Sequence, residues 1–242
     1  MKKMSAAFAL VLGVTTTASA HQIWIEQPDG ANAVIRFGEF GENLREASPG
    51  LLDKFGKPSG VLVSARGEKS GAAEKSSDGF RLPFKADAGD SIVAEDASYP
   101  LYTWKQGDRE TINWFHPAAR LITGFSEQKP RLVLDLVPTA TPGRFTLFFK
   151  DKPRPKTKVT LVTQSGWAKE GTTDEQGQVA FDMPWKGRYV AEVSVNERSP
   201  GERAGAAGAE KYDAVSYVTT LSYIKPEGVE PIPSGPAPQP NK

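Results

Sequence analysis

His21 and His116 are the only imidazoles in this chain, and the first lies where processing would give it unusual chemistry. Ala18-Ser19-Ala20 is a small-residue run of the kind a signal peptidase cuts after, so cleavage leaves His21 as the first residue. An amino-terminal histidine carries two nitrogen ligands, its α-amine and its imidazole Nδ1, that close one chelate ring on a transition metal. The amine titrates near ~8 and imidazole near ~6.5, so a divalent ion displaces both protons at neutral pH. With His116 as a third nitrogen the set becomes a T-shaped brace, which suits copper first and also serves nickel. Oxygen donors are sought in EDASYPLY, at Glu95, Asp96, Tyr99 and Tyr102. The expected metal set is His21, His116, Asp96 and Tyr102, with a transition metal ion as cofactor. The plainer reading is a solvated His21, a packed His116, and acids that cap turns or solvate a strand edge.

These residues need a scaffold, and the sequence describes one. Lys2 and Lys3 precede an apolar run from Ala6 to Val14, a signal-peptide pattern too short for the roughly 20 residues of a transmembrane helix. An exported periplasmic protein is expected, with no direct membrane insertion. Without Lys2 and Lys3 the basic count drops from 30 to 28 against 29 acids, a net charge of −1 that gives no pull toward nucleic acid. Cysteine is absent, which excludes disulfides, thiolate metal sites and cysteine nucleophiles. No phosphate loop, zinc-type His-Glu-x-x-His or serine-histidine pattern occurs, so an enzyme is not expected. Glu95 and Asp96, adjacent on a strand, face opposite sides and do not make an acid pair.

The rest alternates short apolar bursts with Gly, Pro, Asn and Asp clusters, the pattern of an all-β protein. Two β-sandwich modules, immunoglobulin-like or prealbumin-like, are expected over residues 21–128 and 129–224, after a signal peptide at 1–20. Candidate strands include Ser91 to Glu95, Lys158 to Thr163, Arg188 to Val195 and Ala214 to Ile224. The stretch GEKSGAAEKSSDG reads as polar turn. Pro117 biases His116 to a strand end or a turn. NERSPGERAGAAGAEK reads as a mobile hairpin loop, and the proline-rich residues 225–242 as a disordered tail.

Within the second module, KPRPKTKVTLVTQSGWAKEGTTDEQGQVAFDMPWKGRYVAEV resembles the carboxypeptidase-regulatory-like and prealbumin-like repeat, with Asp174 and Gly177 in its turn and Phe181 and Tyr189 in its core. Taken with cleavage before His21 and the segment FHPAARLI, the mature chain resembles the periplasmic DUF4198 family of NikM-like proteins associated with nickel or cobalt transport. The resemblance implies a metal-handling or uptake-accessory role, with a metal ion and a membrane transporter or outer-membrane receptor as partners. Two other readings stand beside it. One is a metal-independent periplasmic interaction module. The other is a copper-dependent oxidative enzyme acting on polysaccharide, for which Trp24, Trp104 and Trp114 would offer a flat aromatic face.

Overall fold

The computed structural model describes residues 21–205 and 207–241; the expected signal peptide lies outside them. The described chain is all-β, with only two short 3-10 turns, Phe40–Glu42 and Leu51–Lys54. Among the described residues no helix is long and apolar enough to cross a membrane.

One nine-stranded sheet runs through both expected modules. From one edge it takes Ala168–Thr172, Lys158–Thr163, Gly187–Glu197 and Ala214–Lys225 from the second half of the chain. It then takes Arg109–Ile122, Ser91–Glu95, Ser59–Ser64 and Gly67–Ala72 from the first half, with Tyr102–Gln106 as a hairpin partner of Arg109–Ile122. The seam is a parallel ladder from Asn113 opposite Ala214 to Ile122 opposite Tyr223. The two halves are therefore sandwiches that share their central sheet, each closed by its own small sheet on an opposite face.

Side-chain alternation produces that arrangement, because successive residues of a strand point to opposite faces. Ala119 and Leu121 join Ile92 and Ala94 on one face, under Ile23, Ile25, Ile35, Phe37 and Phe80 of the first small sheet. Ile122, with Ala191, Val193 and Leu221, faces the other way, under Leu134, Leu136, Phe145 and Leu147. The expected second-module turn is present: Gly177, at φ +74°, donates its N–H to Asp174 O, while the Asp174 carboxylate accepts from Gln176 and Gln178.

Arg120 and Asp135 lock the seam. The guanidinium is 1 % exposed and the carboxylate not at all, and they meet through two parallel bonds of 2.9 and 2.5 Å. Asp135 also accepts from the Arg131 and Leu132 N–H groups, and Arg120 reaches Gln128 and the Lys129 carbonyl. The arginine of FHPAARLI is thus a structural clamp on the crossover between halves.

Four expectations change. GEKSGAAEKSSDG forms two exposed edge strands, Gly67–Ala72 and Glu74–Ser76, whose polar side chains hide strand character. His116 lies inside the long strand Arg109–Ile122; the ladder with Ser91–Glu95 begins only at Ala118, past Pro117. NERSPGERAGAAGAEK supplies a hairpin, Gly201–Gly205 with Gly208–Tyr212, pinned by Arg203 to the Ala97 and Tyr99 carbonyls. The proline-rich tail is extended but anchored: Val229 bridges Trp185, the Asn43 amide donates to Gly235 O, and Asn241 reaches Glu46.

Candidate functional site

His21 precedes the strand Gln22–Glu26, which pairs with Val34–Glu39 so that Gln22 lies opposite Gly38. Gly38 makes the site possible. At φ +143° it lets the Leu44 backbone pass where a Cβ would lie 2.3 Å from Leu44 O. The chain turns through Phe40–Glu42 and returns, and Glu46 donates its N–H to Phe37 O at 2.8 Å. Glu39 and Glu46 thereby arrive on either side of one imidazole.

Nδ1 of His21 is 3.3 Å from Glu39 Oε1 and Nε2 is 2.5 Å from Glu46 Oε1. The ring packs on Phe37, with centroids 5.1 Å apart. Glu46 has no exposed surface and also accepts from the Asn241 N–H at 2.8 Å and the Asn241 side-chain amide at 2.6 Å. A carboxylate only accepts, so the hydrogen of a singly protonated ring lies on Nε2 and the lone pair on Nδ1. That lone pair then faces the Glu39 carboxylate, two acceptors with no hydrogen between them. An ion placed at that edge would meet an imidazole nitrogen and a carboxylate oxygen together.

The surroundings sharpen the demand. Gln22 donates to Glu192 at 2.5 Å, and Glu192 is pushed up to about 7 by burial and then by the charge of Glu39. Among the described residues no Lys or Arg lies within salt-bridge distance of Glu39, Glu46 or Glu192. Glu39 and Glu192 share a cleft of about 540 Å³ with Gln22 and Glu42.

The remaining predicted ligands go elsewhere. His116 is 6 % exposed, stacks on Trp114 at 4.8 Å and 10°, and meets Glu95 Oε2 at 3.0 Å through Nε2. It faces the second-module side of its strand, whereas Phe115 faces Tyr99, which packs on Phe37 beneath His21. The sheet therefore separates the two histidines, and the three-nitrogen brace is not assembled. Asp96 is spent on its own turn, accepting from Gly56, from the Ser98 N–H and from the Ser98 hydroxyl. Tyr102 sits 42 % exposed on the strand Tyr102–Gln106 and has no hydrogen bond or ion pair to either histidine among the described residues. Tyr99 stands in the aromatic stack, its phenol pushed up by burial and by Glu46. Trp24 is fully buried, donating to Glu26, and Trp114 is covered by His116 and Arg203, so of the three tryptophans proposed as a flat face only Trp104 is exposed.

Among the described residues no three His, Asp or Glu side chains close around a common point as a metal cage. The reason is visible at His21: its two carboxylates stand at opposite ring edges and cannot both ligate one ion. Glu39 lies at the Nδ1 edge, and Glu46, at Nε2, is placed as a partner that orients a histidine through its other nitrogen. Sequence reasoning missed both acids because Glu39 ends a strand and Glu46 follows the turn after it, and their approach to one ring depends on the path that Gly38 permits. No protein family, no curated protein and no solved structure matches this chain.

Proposed function

We propose that the protein is a periplasmic metal-handling protein that binds one divalent transition ion, copper, nickel or cobalt, at the amino terminus of the processed chain. The α-amine and Nδ1 of His21 form the chelate, Glu39 supplies a carboxylate oxygen, and Glu46 holds the ring by accepting from Nε2. The observation that carries this reading is the Nδ1 edge of His21 set against Glu39, with Nε2 already taken by a buried carboxylate. The resemblance to NikM-like proteins adds the context of metal uptake, with a membrane transporter or receptor as the partner that receives or delivers the ion.

The arrangement is one of ligand atoms gathered at a single imidazole edge, which favours binding over turnover. The test is the metal content and amino-terminal mass of protein recovered from the periplasm. A chain beginning at His21 with about one copper, nickel or cobalt ion bound, and no bound metal in His21→Ala, is expected. A metal-free native chain with His21 at its terminus, which also takes up none of the three ions on titration, contradicts the reading.

A further inference from the structure

The sheet face that carries the small first sheet continues beyond it into an open cleft of about 640 Å³. Its floor and wall follow from strand register. Tyr102 pairs with Asn113 and Trp104 with Thr111, so these four side chains, with Arg109, share one face of the hairpin. Asn113 lies opposite Ala214 in the parallel ladder, and Ser216 lies opposite Asn196, which continues that face across two more strands. Arg198 and Pro200 close the far side.

Three features define what such a cleft takes. First, Trp104 is 59 % exposed and Tyr102 42 %, and as alternate residues of one strand they stand roughly 7 Å apart, a pair of stacking planes in line. Contiguous apolar surface left in water beside a concavity is the form a ligand-binding groove takes. Second, the carboxylates of the cleft are spent while its guanidiniums are not. Glu110 pairs with Lys105 and Asp213 accepts from the Ile112 N–H, yet among the described residues neither Arg109 nor Arg198 lies within 4.0 Å of a carboxylate. Third, the lining is rich in neutral hydrogen-bonding groups. Asn113 uses its amide N–H on Thr111 and keeps its Oδ1 free to accept, with Asn196 and Ser216 beside it.

We infer that this cleft binds an acidic oligosaccharide of the uronate class. Two sugar rings stack their C–H faces on Trp104 and Tyr102, Arg109 and Arg198 pair with ring carboxylates, and Asn113, Asn196 and Ser216 meet hydroxyls. An aromatic carboxylate would use one stacking plane and an arginine but would leave the row of amides and hydroxyls unpaired. The inference does not depend on metal at His21; the cleft beside that residue, which takes in Ser194 and Val218, adjoins this one at Asn196 and Ser216.

The experiment is calorimetric titration of the full-length processed protein with tri-galacturonate and, in parallel, with the neutral cellotriose. Tri-galacturonate is expected to bind, and cellotriose to bind at least about tenfold more weakly, the effect of removing the charge-assisted contacts. Trp104→Ala should weaken tri-galacturonate about tenfold, and the Arg109→Gln, Arg198→Gln pair should bring it down to the level of cellotriose while leaving cellotriose unchanged. Both positions are exposed on the hairpin or rim, and an unchanged melting curve verifies that each variant folds. No heat with tri-galacturonate at 10-fold the protein concentration and above, tri-galacturonate binding that survives Trp104→Ala, or equal affinity for the two trisaccharides would overturn the inference.

Discussion

The Nε2 of His21 lies 2.5 Å from a carboxylate oxygen of Glu46, a residue with no exposed surface. A buried carboxylate is tolerated only when its lone pairs are filled, and here the imidazole and two groups of Asn241 fill them. The pairing fixes the ring, and through the ring it fixes where Nδ1 points.

Glu46→Gln should therefore weaken metal binding without removing a first ligand. The amide is isosteric but cannot accept from Nε2 as strongly, and loss of an orienting partner typically costs 10–100-fold in affinity. Competition titration against a chelator of known affinity measures it. An unchanged affinity would mean that Glu46 does not orient the ring.

Asp135→Ala should destabilise the fold by about 3–5 kcal/mol, because it strands the Arg120 guanidinium where only 1 % of it is exposed. Replacing both partners by apolar residues of similar size, as in Arg120→Met with Asp135→Leu, should cost much less, since no buried charge remains. Urea unfolding of the single and double variants distinguishes a clamp from a bystander pair.

Glu192 makes stability depend on pH. Its folded value of about 7 lies above the ordinary 4.5, so across that interval the folded chain keeps a proton that the unfolded chain releases. Stability then falls as pH rises from about 4.5 to 7, by up to roughly 2–3 kcal/mol. Glu26 acts in the opposite direction at lower pH. Burial raises it, but Arg188, the Trp24 N–H and Arg45 outweigh that and bring it down to about 2, so its contribution is lost as pH falls below 4.5. Glu192→Gln should flatten the upper limb and leave the lower limb in place; melting curves between about pH 2 and 8 read both.

The strands legible in sequence are those whose apolar residues alternate, such as Ser91–Glu95 and Lys158–Thr163, because period-two burial is what a sheet with covered faces imposes. Gly67–Ala72 was not legible: it is an edge strand with solvent on its side chains, and its backbone ladder leaves no mark on residue type. The shared sheet was hidden for a different reason. Its seam is a parallel pairing between residues about a hundred positions apart, and nothing local encodes that partner. At the site, His21 stood out by position and chemistry, while Glu39 and Glu46 depend on the turn that Gly38 permits. His116 was the misleading signal. Its aromatic neighbours Trp114 and Tyr217 are packing partners, and Glu95 answers its Nε2.

Removing the chain beyond residue 230 should open the His21 site. That segment contributes the Asn43 to Gly235 bond and both Asn241 contacts to Glu46. Metal association followed by stopped flow should be faster, and stability should fall by about 1–2 kcal/mol for the bonds lost. An association rate equal to that of the full chain would show that the tail does not cover the site.

The central claim is that the metal is held by a free amino-terminal histidine. The most direct measurement compares Cu(II) and Ni(II) affinity of the chain beginning at His21 with that of the same chain carrying one extra glycine before it. The extra residue converts the α-amine to an amide, a poor ligand near neutral pH, and leaves the imidazole, Glu39 and Glu46 intact. Affinity is expected to fall roughly 100-fold or more while the metal-free melting temperature stays within a degree or so. Equal affinity in the two chains would contradict the account.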